Sequence, residues 1–135
     1  MKSPKDIRHK ARMRLVELLY ARLLNPETLT PTQNVYKYDT SLYEKIYQSV
    51  QDHKDSIDEL IEVKSKRKLE EIKNIEHAVL QVTFAESYFE HFTPYKVAID
   101  EAIELTREYS DEASATFISG VLGATYDDTF KQTNK

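Results

Sequence analysis

Residues 75–92 read IEHAVLQVTFAESYFEHF. Ile75, Val79, Val82 and Phe89, joined by Ala78, Ala85 and Phe92, recur at steps of three and four residues, the spacing that lines one side of an α-helix. An apolar face this wide, sustained over about five turns, needs cover from several neighbours. The stretch is therefore predicted to be the central and most buried helix of an all-α protein. Glu86 interrupts it among apolar neighbours. Two readings stand: an exposed position on an amphipathic helix, which the residues favour, and an ion pair with an arginine of a partner protein.

Further toward the C-terminus, Thr93-Pro94 marks a helix start, because proline in the first turn gives up an N–H that would have no helical partner. Val97, Ala98, Ala102, Ile103 and Leu105 form the next apolar face. A break at Ser110-Asp111 precedes a last helix with Phe117, Val121 and Leu122, in which Gly120 and Gly123 are predicted to allow close helix approach. Few apolar anchors follow Asp127, so residues 128–135 are predicted to fray.

Toward the N-terminus, KSKRKLEEIK (64–73) has the composition of a solvated helix start. Leu42, Ile46, Tyr47 and Val50, then Ile57, Leu60 and Ile61, predict one kinked helix or two short ones, with Asp39, Thr40 and Ser41 offering N-cap side chains. NPETLTPTQNVYKYDT (25–40) has two prolines and no period, and reads as a long connection. Before it, DIRHKARMRLVELLYARLL (6–24) carries Ile7, Ala11, Leu15, Leu18 and Leu19 at helical spacing. A first helix over roughly 5–24 follows.

The whole is sized for one domain, over residues 1–127. With two glycines and four prolines in 135 residues, the chain lacks the turn and loop residues on which sheet-rich folds and phosphate-cradling loops depend. The absence of cysteine excludes disulfides, thiolate zinc sites and cysteine nucleophiles. No apolar run suits a signal peptide or a membrane span, so a cytoplasmic location is expected.

The net charge of −4 is unevenly spread. Residues 1–22 carry +5 and the remainder −9, which points to an anionic partner at one place. If the first helix forms, Lys5, Arg8 and Arg12 fall within one turn of one another, opposite Ile7, Ala11 and Leu15. Arginine forks suit phosphate oxygens and stack on bases, so this row is the candidate RNA-binding surface; a merely solubilising basic helix is the alternative. His9, His53, His77 and His91 lack the local spacing of HExxH or ExxH motifs, so no metal site and no cofactor are expected. His9, inside RHKAR, is instead a candidate for stacking or pH-dependent charge at an RNA contact. Tyr20, and Tyr36, Tyr38, Tyr43 and Tyr47, read as core or core-edge packing.

The segment 75–124, most clearly PYKVAI (94–99), EAIEL (101–105) and Phe117 with Gly120-Val121-Leu122, resembles the NusB family in order, spacing and identity. RHKARMRLVELLY (8–20) resembles that family's arginine-rich first helix, which closes in Leu-Tyr. The resemblance implies a fold of two small antiparallel helix bundles and a non-enzymatic transcription antitermination factor. It further implies a heterodimer with NusE, a protein of the small ribosomal subunit, that binds single-stranded boxA RNA, notably from ribosomal RNA operons, and joins an RNA polymerase antitermination complex. Carried over by position, Arg8, His9, Lys10 and Arg12 match the RNA-binding motif, and Tyr20 and Glu86 match the NusE-facing surface. Self-association is a further property of the family. Asp100, Ser119 and Gly123 depart from its pattern, as do His9 and Lys10 where arginines are common. NusB-like domains also precede RNA cytosine methyltransferase domains, but such an enzyme needs a cysteine that this chain lacks. The competing function is a helical protein-interaction adaptor without RNA binding.

Overall fold

Six α-helices make up the computed structural model, which describes residues 4–30 and 36–131: α1 (Pro4–Leu24), α2 (Thr40–Asp52), α3 (Lys54–Ser65), α4 (Asn74–Thr83), α5 (Tyr95–Tyr109) and α6 (Glu112–Tyr126). The described residues contain no strand. Residues 76–87 are buried without interruption, so the stretch predicted to be central is the one the other helices enclose. It is not one regular helix. From Phe84 to Phe89 the backbone widens into a π-helical turn, and the Glu90 N–H reaches back five residues to the Ala85 carbonyl. His91, at φ 57°, then turns the chain toward α5.

α1 and α4 run antiparallel: Arg12 pairs with Glu86 just past the end of α4, and Val16 and Tyr20 border the same groove as Asn74 and Ile75 at its start. α5 and α6 form a second antiparallel pair, in which Tyr95 at the start of α5 donates to the Leu122 carbonyl near the end of α6. α2 runs in the same direction as α1. The Asp39 N–H binds the Ile7 carbonyl at 3.0 Å while Tyr47 meets Arg22, so the connection after α1 returns the chain to its start. Asp39 caps α2 by accepting from the Leu42 N–H, and Asp111 caps α6 by accepting from the Ser114 N–H.

One expectation resolves and two change. The kinked-or-double helix resolves into two, α2 and α3, meeting at His53. Residues 64–73 do not begin a helix: α3 runs to Ser65, Lys66 ends it at φ 58°, and a 3₁₀ turn at Leu69–Glu71 leads into α4. Ile72 reaches the core from extended backbone, so the apolar spacing there reflects packing rather than helical hydrogen bonding. The glycines do not serve close approach either, because a Cβ at Gly120 or Gly123 meets nothing within 4 Å. Past α6 a π-helical turn continues over Asp127–Lys131, where Lys64 Nζ holds the Asp128 carboxylate at 2.8 Å. The rest of the tail predicted to fray lies outside the described residues. No helix among the described residues is long and apolar enough to cross a membrane.

Candidate nucleic-acid interface

Of the predicted stripe, α1 buries Ala11, Leu15, Leu18 and Leu19 and leaves Ile7 half-buried, and it buries more besides. Arg12 is only 4% exposed. Its Nε donates to Glu86 Oε1 at 2.8 Å and its Nη2 to Oε2 at 2.6 Å, while Nη1 stands 3.5 Å from Glu101 Oε2. The Thr93 hydroxyl also donates to Glu86. Burial acts to lower the Arg12 pKa, but the hydrogen bond and charge of Glu86, with the charge of Glu101, overcome it and raise the pKa overall. This corrects two expectations at once. Arg12 is not on an exposed cationic row, and Glu86, 1% exposed, presents no surface to a partner protein. Each is the other's counter-ion, in the bidentate geometry at which arginine excels.

His9 is likewise turned inward. Its Nδ1 lies 2.8 Å from Glu101 Oε2 and its Nε2 2.6 Å from Glu108 Oε1. The hydrogen bond to Glu101 raises the imidazole pKa, burial opposes it, and the hydrogen bond and charge of Glu108 add to the rise, leaving it at about 9. The ring is cationic at neutral pH, yet its charge is spent on α5.

The remaining cations of α1 differ in access. Arg14 is buried with its guanidinium 4.8 Å from the Tyr38 ring centre, and Arg22 binds the Tyr47 hydroxyl and the Thr28 carbonyl. Lys10 is half-buried, its Nζ 5.5 Å from the Tyr36 ring centre. Arg8 is exposed. The side chain of Lys5 lies outside the described residues. Among the described residues, the cationic surface is thus narrower than a count of basic residues in α1 implies, and it is centred on Arg8 and Lys10. The tyrosines of the connection and α2 pack edge-on or stacked, Tyr38 on Tyr43 and Tyr43 on Tyr47, in keeping with core-edge positions.

Tyr20 is 38% exposed, more open than a core-edge position. It borders a groove of about 480 Å³ together with Val16, Glu17, Lys73, Ile75 and Tyr109. The Tyr109 hydroxyl donates to Glu17 and closes one wall.

Comparison with known proteins bears on what these surfaces belong to. The pattern that defines the NusB family matches residues 9–127, from His9 in α1 past the end of α6. The chain belongs to the NusB family. The transcription antitermination protein NusB of Finegoldia magna is 34% identical over 125 residues, covering 87% of this chain and 91% of the relative. That of Clostridium acetobutylicum is 32% identical over 124 residues, covering 86% and 92%. Among solved structures, T. maritima NusB superposes with a TM-score of 0.75 at 25% identity, covering 91% of this chain and 90% of that one. A NusB solved with NusE and double-stranded RNA gives a TM-score of 0.69 at 22% identity, with 89% and 96% covered, and shows the shared fold.

Within this NusB fold the pairing of Arg12 with Glu86 had a signal in the sequence. Glu86 is four residues after Val82 and three before Phe89, on the same stripe, and Arg12 is three before Leu15 and four before Val16. Opposite charges seated in the apolar registers of two helices can both be buried only by meeting. The clamp on His9 had no such signal, because Glu101 and Glu108 come from a helix more than ninety residues away.

Proposed function

We propose that this NusB-family protein acts as a non-enzymatic antitermination factor that pairs with a NusE-type ribosomal protein and binds single-stranded boxA RNA through the head of α1. The observation that carries the reading is the exposed Arg8, with Lys10 beside it, at the head of the stretch 8–20 that resembles the family's arginine-rich first helix and one residue before the family match begins at His9. Arg8 supplies phosphate attraction and a plane for stacking, and His9 and Arg12 hold the helix that carries it. The exposed Tyr20 and its groove suit the partner protein, since an aromatic ring beside an apolar recess is what a docking side chain anchors against. The NusB solved with NusE and double-stranded RNA supplies a precedent for both kinds of partner. Assembly on RNA polymerase and action at ribosomal RNA operons are part of the same reading.

The test is anisotropy with a short boxA RNA, single-stranded and duplex, with and without NusE, across a salt series. Affinity is expected to fall steeply with salt, and Arg8→Ala to lower the log–log slope by about 0.7, the value of one phosphate contact on a single strand. A double Arg8→Ala, Lys10→Ala variant that binds as well as the parent would overturn the RNA surface. The inward pairing of His9 and Arg12 favours a second reading, an adaptor that binds protein alone. NusE captured with no RNA affinity in any arm would establish that reading instead.

A further inference from the structure

We propose that His9, Glu104 and Glu108 form a binding site for one divalent transition-metal ion of the zinc class, bridging the head of α1 to the last two turns of α5. One ligand atom of each residue, a ring nitrogen and two carboxylate oxygens, lies within 4.8 Å of the other two. Ligand atoms about 2.0–2.2 Å from an ion stand at most roughly 4.4 Å apart. Closure asks the exposed Glu104 to swing in and the Glu108 oxygen, 2.6 Å from Nε2 in the direct hydrogen bond, to draw back to the roughly 3.4 Å that two ligands of one tetrahedral ion keep. Imidazole with two carboxylates suits zinc-class ions better than magnesium or calcium, which prefer all-oxygen shells.

Two further features suit an ion in that place. Glu101, buried on the same face of α5, accepts from Nδ1 at 2.8 Å and directs Nε2 outward toward Glu108. A carboxylate on the far ring nitrogen is the usual orienting partner of a metal-bound histidine, fixing tautomer and ring plane. Alongside runs an open groove of about 660 Å³ lined by Asp100, Ile103, Glu104, Arg107 and Glu108, with room for the waters that complete the shell; its cationic member, Arg107, is paired with Glu112 at 2.8 Å. On binding, the ion bonds to Nε2 and to one oxygen each of Glu104 and Glu108. The Nε2 proton leaves to solvent, the Nε2 hydrogen bond to Glu108 is replaced by the shared ion, and the Nδ1 hydrogen bond to Glu101 stays. No local spacing motif announces the site, because the histidine and the carboxylates sit on separate helices.

The site is tested by titrating Zn²⁺ into the full chain, freed of metal by chelator, and following heat and the ¹⁵N resonances of the histidine rings. One ion per chain is expected, with the His9 Nε2 resonance shifted as for a metal-bound nitrogen and the melting temperature raised. Glu108→Gln and the surface change Glu104→Gln should each weaken binding about tenfold or more, while His53→Gln and His91→Gln leave it unchanged. Glu104→Gln keeps the test valid should another variant fail to fold. No zinc binding by the parent, binding unaffected by Glu104→Gln and Glu108→Gln, or binding lost only with His53 or His91 would each overturn the proposal.

Discussion

Replacing Glu86 by alanine is expected to destabilise the protein more than it alters any surface. Glu86 is 1% exposed and accepts twice from Arg12 and once from Thr93. Without it the Arg12 guanidinium stays buried, with Glu101 at 3.5 Å as the remaining carboxylate contact. Breaking a buried pair by removing one partner costs about 3–5 kcal/mol, and here the guanidinium loses both hydrogen bonds of its bidentate partner away from water while Glu101, already shared with His9, keeps only the longer contact. For a domain of this size each kcal/mol moves the melting temperature by roughly 3–4 °C, so a fall of about 10–20 °C is expected. Circular dichroism at 222 nm during heating, at fixed protein concentration and pH 7, measures it; urea unfolding should show a lower midpoint with the slope unchanged. The double replacement Arg12→Met, Glu86→Leu fills the same space without charge and should recover most of the loss, the pattern of a pair whose desolvation cost offsets its attraction. A loss below about 1 kcal/mol for Glu86→Ala, the range of solvent-exposed pairs, would refute the buried pairing and return both residues to the candidate surface.

The clamp on His9 carries a pH signature. Its pKa is raised by Glu101 and Glu108 to about 9 from an ordinary 6.5, so its contribution to stability is complete below 6.5 and is lost as pH rises through about 9. In chelator-treated buffer, the difference in melting temperature between the parent and His9→Gln should therefore be largest at pH 6 and shrink toward pH 9.5; a constant difference would contradict the clamp. Asp39→Ala removes the acceptor for the Leu42 N–H at the head of α2 and should cost about 1 kcal/mol in urea unfolding. Gly123→Ala should raise stability by about 0.5–1 kcal/mol, since the helix gains a better former and the new Cβ meets nothing within 4 Å.

The helical class, the burial of residues 76–87 and the breaks at Pro26, Asp39, Pro94 and Asp111 were legible in the chain. They depend on periodicity, proline and capping chemistry, which act over a few residues. The resemblance of residues 8–20 and 75–124 to the NusB family carried the rest of the fold. The 64–73 segment misled because Leu69 and Ile72 keep a helical spacing while their backbone is a 3₁₀ turn and an extended residue. Periodicity reports which side chains face the core, not which hydrogen bonds the backbone makes.

Charge was the property least open to local reading. The sequence by itself determined that α1 is rich in cations and amphipathic, and that all but Asp6 and Glu17 of the acidic residues lie elsewhere in the chain. Only the tertiary structure decided where those cations are spent: Arg12 on Glu86 of the π-helical turn, His9 on Glu101 and Glu108 of α5, Arg14 on the Tyr38 ring, with Arg8 left exposed. The reason is physical. An apolar stripe is a property of one helix, but the partner of a charge is whichever opposite charge the packing of another helix brings within a few ångströms, and for Arg12 and His9 that partner is 74 to 99 residues away.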